Sequence, residues 1–441
     1  MNYNEQIVSA IDIGTTKIVA IVGKKDEAGK IEILGMGKSP SKGVKRGVVL
    51  NIEDTITAIQ SAVNQAEEMA GIKMKDVFVG IAGQHIKSIQ NRRYIDTFSY
   101  DDEITQADVD RLIEDMFRIP TEPGEEILHV IPQSYIVDKE VGVKNPVGIS
   151  GKRLEGNFHI VLGQIASANN IKKCVNRVNL NVFELILEPL ASSDAVLSEE
   201  EKELGVALVD IGGGTTDIAV FYEGIIHHTA VIPFGGNVVT TDIKEGCGIL
   251  ENIAEKLKVN YGSALADYEQ ENKYITIPGL KGRDPKEISF VNLANIIQAR
   301  MEEIIDAIFF EIESSNIADK LGGGIVITGG GAMLKYLPQL IAFKTGMDVR
   351  IGYPNEYLSS EVISEINQPM YATSVGLVLR GLEELSKGKK HDYKSPDAKN
   401  PEIEKPKEVE PKKVKKGFGL FERFKQISDT MFEKDEDVKM E

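Results

Sequence analysis

Along the chain, apolar positions fall into patterns that define its elements. Short runs rich in Ile and Val, of strand length, carry an Asp or Thr at or next to their end and pass directly into glycine. The first is Ile11-Asp12-Ile13 before Gly14, with a second β-branched run at Ile18 to Ala20; the next is Val209-Asp210-Ile211 before Gly212, followed by Ile218 to Val220; the last is Ile325 to Thr328 before Gly329. Further strand-like runs lie at Val77 to Ala82, Glu126 to Val137 and Asn157 to Ile165. A charged helix is expected from Thr105 through Ile119, while Pro120, Pro123, Pro132 and Pro146 punctuate that region with turns. Two runs of small residues, Glu188 to Leu197 and Ala372 to Leu379, suit helices that cross at close range.

The first two strand-glycine units are copies of each other, about two hundred residues apart. Each has a β-branched strand, an Asp at its end, a Gly/Thr turn and a second strand. Such a hairpin can hold phosphate, because glycines allow successive backbone N–H groups to converge on one point and threonine hydroxyls add donors. The candidate phosphate residues are Gly14, Thr15, Thr16 and Lys17 in the first copy and Gly212, Gly213, Gly214, Thr215 and Thr216 in the second. A carboxylate cannot attract phosphate, so Asp12 and Asp210 are expected to hold a hydrated Mg²⁺ bridging the phosphate oxygens. Gly-Thr turns also close ordinary hairpins, and it is the matched pair that points to a nucleotide. The third cluster, Gly329, Gly330, Gly331 and Ala332, would let the backbone lie against a base or phosphate.

Composition narrows the possibilities. A chain of 441 residues, 42% hydrophobic and 27% charged, has material for two domains with their own cores. Its net charge of −17 argues against nucleic acid as a partner. The N-terminal residues lack a secretion signal, no apolar stretch is of spanning length, and Cys174 and Cys247 have neither zinc-like nor redox-motif spacing.

In their order, these glycine clusters resemble the phosphate-1, phosphate-2 and adenosine signatures of the superfamily of actin, Hsp70 and sugar kinases, and the small-residue runs resemble its two connecting helices. The resemblance implies an α/β fold of two actin-like (ribonuclease-H-like) domains flanking a nucleotide cleft, with ATP and Mg²⁺ as cofactors. A stretch from about Gln84 to Gln164, opening from the strand at Val77 to Ala82, reads as an inserted subdomain placed as in the cell-division family FtsA. The run Lys42 to Val49, the run Val79 to Gly83, Ile232 to Asn237 and Ile253 to Gly262 are similar to the same family. Glu255 and Lys258, three apart on one helical face, could reach a ribose or base, or pair with each other. Glu188 could orient a water for ATP hydrolysis, or serve as a carboxylate favoured at a helix N-terminus.

The tail differs from the rest. Residues 386–411, rich in Lys, Glu, Asp and Pro, read as a disordered tether. In the segment 412–432, Leu420, Phe424, Ile427 and Met431 repeat at helical spacing, with Phe418 and Phe421 beside them and lysines upstream. That pattern suits a helix lying in an anionic lipid surface; docking on its own domain or in a partner's groove are the alternatives. Residues 433–441 form an acidic end.

The expected organisation is therefore a first-domain core at 1–83 and 166–202, an insert at 84–165, and a second domain at 203–385 with its own insert at about 243–320. The FtsA resemblance implies a protein that tethers FtsZ filaments to the cytoplasmic face of the cell membrane at the division septum, assembles into actin-like filaments, and meets other division proteins through 84–165. An actin-like ATPase of another pathway, whose terminal helix binds a protein, is the alternative. No motif marks a kinase's sugar site or catalytic carboxylate, and too little chain follows the second connecting helix for a chaperone's substrate domain.

Overall fold

The computed structural model describes residues 7–386 apart from residue 28 and residues 98–101, 271, 280–281, 283 and 360–364. The first half begins with a meander, β1 (Ile7–Ile13), β2 (Lys17–Lys25) and β3 (Ile31–Pro40), followed by a small hairpin of β4 (Val44–Lys45) and β5 (Val48–Val49). Helix α1 (Ile52–Ala70) starts where Asn51 accepts the Asp54 N–H and stops at Gly71 in the left-handed conformation. It leads to β6 (Asp76–Ile81). A second sheet then intervenes, with β7 (Lys87–Asp96), α2 (Gln106–Met116), β8 (Glu125–Val137), β9 (Glu140–Val143) and β10 (Arg153–Gln164). The chain returns through α3 (Ile165–Arg177) and β11 (Asn181–Leu187) to α4 (Glu188–Val196) and the short α5 (Glu199–Leu204).

The second half repeats the plan. Strands β12 (Val206–Ile211), β13 (Thr216–Tyr222) and β14 (Ile225–Ile232) form its meander. Then come α6 (Gly236–Cys247), α7 (Glu251–Tyr261), the hairpin β15 (Tyr274–Ile277) and β16 (Lys286–Ser289), and α8 (Phe290–Ser314). Strand β17 (Ile325–Thr328), α9 (Leu337–Thr345), β18 (Val349–Ile351) and α10 (Ala372–Ser386) complete it.

The sheet orders, β11-β6-β1-β2-β3 and β14-β13-β12-β17-β18, are the same topology read from opposite ends. In each, three antiparallel strands are extended by two parallel ones. Central strands are buried on both faces, which is why β12 and β17 read as unbroken apolar runs. Between the halves α4 crosses α10 so closely that a Cβ on Gly376 would lie 1.8 Å from the Ala191 carbonyl oxygen. Small residues at this crossing are thus a steric requirement.

Three expectations change in detail. The strand expected to open the insert is β6, and it lies inside the first sheet between β11 and β1. The helix expected from Thr105 to Ile119 is shorter: Thr105 caps it through a reciprocal bond with Asp108, and it ends at Met116, ahead of Pro120. Strand β10 begins at Arg153 and stops at Gln164, so Ile165 starts α3. Unforeseen by any pattern, the insert sheet also packs on β14, the edge of the second half's sheet. There Ser88 Oγ donates to the Thr229 carbonyl (3.1 Å), Gln133 Nε2 to the Ile226 carbonyl (2.8 Å), and His159 Nε2 pairs with Thr229 Oγ1 (2.9 Å).

Candidate nucleotide site

The two Gly/Thr turns, each joining the first two strands of a meander, meet tip to tip. A Cβ on Gly213 would lie 2.3 Å from Thr16 Cγ2, and one on Gly214 would lie 2.5 Å from Thr15 Oγ1. A side chain at either position would push Thr16 or Thr15 out of place. The second turn is braced from behind, where Gly236 N–H and Asn237 N–H at the start of α6 donate to the carbonyls of Gly212 (2.9 Å) and Gly213 (2.8 Å). Thr216 Oγ1 also turns inward, to the Phe234 carbonyl (2.9 Å), instead of facing the cradle. Among the described residues, the N–H groups of Thr15, Thr16, Gly213 and Gly214 have no acceptor. Unused donors on two loops that face each other are what an anion needs.

Behind the turns lies a group of carboxylates. Asp12 and Asp210, at the ends of β1 and β12, are both buried. Ser374 Oγ donates to Asp12 (2.8 Å), while Ser192 Oγ (2.7 Å) and Thr373 Oγ1 (3.1 Å) donate to Asp210. Those donors come from α4 and α10, so the crossing helices hold the carboxylates from one side. Asp217 on β13 stands opposite Asp210 in register; Thr215 Oγ1 donates to one of its oxygens (3.0 Å), and the other is buried with no partner among the described residues. Glu188, the first residue of α4, lies against Gly80 of β6, where a Cβ would come within 3.1 Å of its carboxyl.

Burial raises the pKa of all four acids, and repulsion from neighbouring carboxylates adds to it for Asp12, Glu188 and Asp217. Glu188 is held well above the usual range by burial and then by Asp12, Asp217 and Asp210. Asp217 is pushed up to about 8 by burial and by Asp210. Asp12 and Asp210 rise for the same first reason, with Lys17 and the hydroxyl donors pulling the other way. A site in which like charges crowd is one that a cation stabilises.

Lys17 is the cation at hand. Its Nζ donates to the Met370 carbonyl (2.7 Å) and sits 5.0 Å from the centre of the Tyr371 ring, and burial lowers its pKa against the pull of Asp12 and Asp210. Glu255 and Lys258 do pair with each other on α7 (2.7 Å), and Lys258 also donates to the Gly236 carbonyl (2.9 Å) and Thr240 Oγ1 (2.8 Å). They are thereby anchored behind the second phosphate turn. The third glycine cluster packs on the second copy, with a Cβ on Gly329 falling 2.3 Å from Asp210 Oδ1 and one on Gly331 2.3 Å from Ile211 Cγ2. Gly330 and Ala332 continue that turn, Ala332 fully buried.

The residues singled out in the sequence between Asp12 and Ala332 therefore gather around one locus. Asp217 was missed, although it ends the same Gly-Gly-Gly-Thr-Thr-Asp run, because nothing local says that β13 returns it opposite Asp210. Phe418, Leu420, Phe421, Phe424, Ile427 and Met431 lie outside the described residues.

Two half-sheets of one topology, hinged on crossing helices with paired glycine turns between them, define an actin-like protein, and comparison with solved structures agrees. A chain of the PilM–PilN type IV pilus biogenesis complex superimposes with a TM-score of 0.62 at 15% identity, over 85% of this chain and 98% of that one. MreB 5 of Spiroplasma citri bound to AMPPNP gives 0.51 at 14% identity, over 87% and 97%. Sequence narrows the class. The family model described as "Cell division protein FtsA" matches residues 207–376, and that described as "SHS2 domain inserted in FTSA" matches 83–162. The cell division protein FtsA of Pseudomonas aeruginosa is 40% identical over 87% of this chain and 91% of its own length, and that of Escherichia coli is 37% identical over 88% and 93%. The chain belongs to the FtsA family of cell division proteins.

Proposed function

We propose that the chain is an ATP-binding adaptor that ties FtsZ filaments to the cytoplasmic membrane at the division septum and assembles into actin-like filaments. The observation that carries the nucleotide part is the tip-to-tip approach of the two glycine turns with their unused N–H donors. ATP and Mg²⁺ suit the residues present. Thr15, Thr16, Gly213 and Gly214 would face the phosphates, with Gly14, Gly212 and Thr215 shaping the turns and Lys17 adding positive charge. Asp12 and Asp210 would hold Mg²⁺ through water, and Asp217 belongs with them because its second oxygen is otherwise unsatisfied. Glu255 and Lys258 would flank the ribose, and Gly329 to Ala332 the base.

When bound, Mg²⁺ supplies charge neutralisation on the phosphates. The protein's own part in any hydrolysis falls to Glu188, whose carboxyl is fixed by the start of α4 and by Gly80. Burial, and then its acidic neighbours, disfavour its charged form, and turnover is expected to be slow. Nucleotide thus acts chiefly as an assembly cofactor.

The membrane part rests on the sequence of 412–432 and on the family. Attachment would be peripheral, through the helically spaced apolar residues of that segment; among the described residues no helix is long and apolar enough to cross a membrane. FtsZ is assigned to the second half's insert, about 243–320, and other division proteins to 84–165. Co-sedimentation with anionic vesicles tests this part. The full chain is expected to pellet, whereas a chain ending at Pro411 or carrying Phe421→Glu and Phe424→Glu stays soluble with its nucleotide affinity unchanged. Pelleting that survives those changes refutes the tail assignment, and a full chain that stays in the supernatant favours a protein groove as the helix's target.

A further inference from the structure

The run Lys42 to Val49 has no role in the site as described, yet its hairpin enters it. Strands β4 and β5 pair Lys45 with Val48, leaving Arg46 and Gly47 as a two-residue turn with φ of 52° and 73°. A turn with both central residues at positive φ is the I′ type, which takes Asn-Gly or Asp-Gly by preference; a Cβ-bearing Arg is disfavoured there. The tip is wedged into the phosphate site by its backbone. Gly47 N–H donates to Thr15 Oγ1 (3.2 Å), and the Arg46 nitrogen lies 3.0 Å from where a Cβ on Gly214 would be. On the far side, a Cβ on Gly47 would meet the Gly83 Cα at 2.7 Å. Arg46 therefore stands over the seam between the two glycine turns.

Its side chain is exposed and, among the described residues, has neither an ion-pair nor a hydrogen-bond partner. Lys17 is already engaged with the Met370 carbonyl, and four carboxylates lie in the same site. A triphosphate brings more negative charge than one partly shielded lysine offsets, and a guanidinium can grip phosphate oxygens by two parallel bonds. We propose that Arg46 is the residue that meets the terminal phosphate of the nucleotide and makes the chain prefer a triphosphate to a diphosphate. This rests on the nucleotide reading above, and it explains why the turn carries Arg where Asn or Gly would fold more readily.

Calorimetric titration of the full chain with Mg-ATP and with Mg-ADP tests it, using Arg46→Gly, Arg46→Asn and Arg46→Lys. The Gly and Asn variants suit the turn, so their thermal midpoints should equal or exceed that of the wild type. Each should lose roughly tenfold or more in ATP affinity while ADP affinity changes less than about twofold, with Lys between. An unchanged ATP-to-ADP ratio in Arg46→Gly overturns the assignment and leaves the residue as part of a turn. A wild type that binds neither nucleotide overturns the phosphate-site reading itself, and this assignment with it.

Discussion

Asp210 shows how much of this site is decided by single side chains. Its carboxylate is buried beside Asp217 and close enough to Glu188 to raise that acid's pKa, and among the described residues the Ser192 and Thr373 hydroxyls and Lys17 offset its burial. If its role is to hold hydrated Mg²⁺, removing metal with EDTA should weaken ATP binding to the wild type by roughly tenfold or more, and to Asp210→Asn by less than about threefold. Equal metal dependence in the two proteins would remove Asp210 from the ion's shell. His159 makes a different prediction. Burial, and the neighbouring His228 and His227, push its pKa down to about 4 from 6.5. Its ring faces Thr229, while His228 pairs with Glu311 of α8 (3.0 Å). As pH falls below 6.5 the unfolded chain takes up this proton first. The stability from the neutral ring is complete above that pH and declines toward pH 4 by up to about 1.4 kcal/mol per unit. In urea titrations across this range, the advantage of the wild type over His159→Phe should shrink as pH drops; a constant difference contradicts the assignment.

At the scale of elements, the hinge carries the sharpest steric claim. With the Ala191 carbonyl in the place a Cβ would take, Gly376→Ala must separate α4 from α10, at a cost of about 1–3 kcal/mol typical of overpacking. Because these helices carry Ser192, Thr373 and Ser374 to the two aspartates, the variant should also bind nucleotide more weakly, and a normal urea midpoint would show that the crossing is softer than described. Much of the architecture was legible in the sequence because the first two strands of each meander are mostly buried and therefore rich in Ile, Val and Ala, and because the glycine turns are copied. Strand β7 was not. Its Lys87, Gln90, Asn91, Arg92 and Arg93 give no apolar alternation, since it is an exposed edge strand with Ile95 as its one buried residue, paired along its length by β10. The small residues of α4 and α10 were read for their size, whereas their hydroxyls also serve as donors to buried acids. Lys17 was legible as a cation, but its bond to Met370, 353 positions away, was not.

Across the whole molecule, the halves are joined at more than the hinge. The insert reaches β14 through Ser88, Gln133 and His159, and Lys144 extends from it to Glu203 (3.2 Å) and the Glu223 carbonyl (2.9 Å). A chain of net charge −17 is repelled by an anionic membrane, so the proposed adaptor needs its terminal helix for every membrane encounter. The decisive measurement is recruitment of fluorescent FtsZ filaments to a supported anionic bilayer in the presence of Mg-ATP. The full chain is expected to bring them to the surface, and the chain ending at Pro411 is expected to leave them in solution while still binding them. Filaments that stay in solution with the full chain bound to the bilayer, or that reach the bilayer with the truncated one, would contradict the adaptor function.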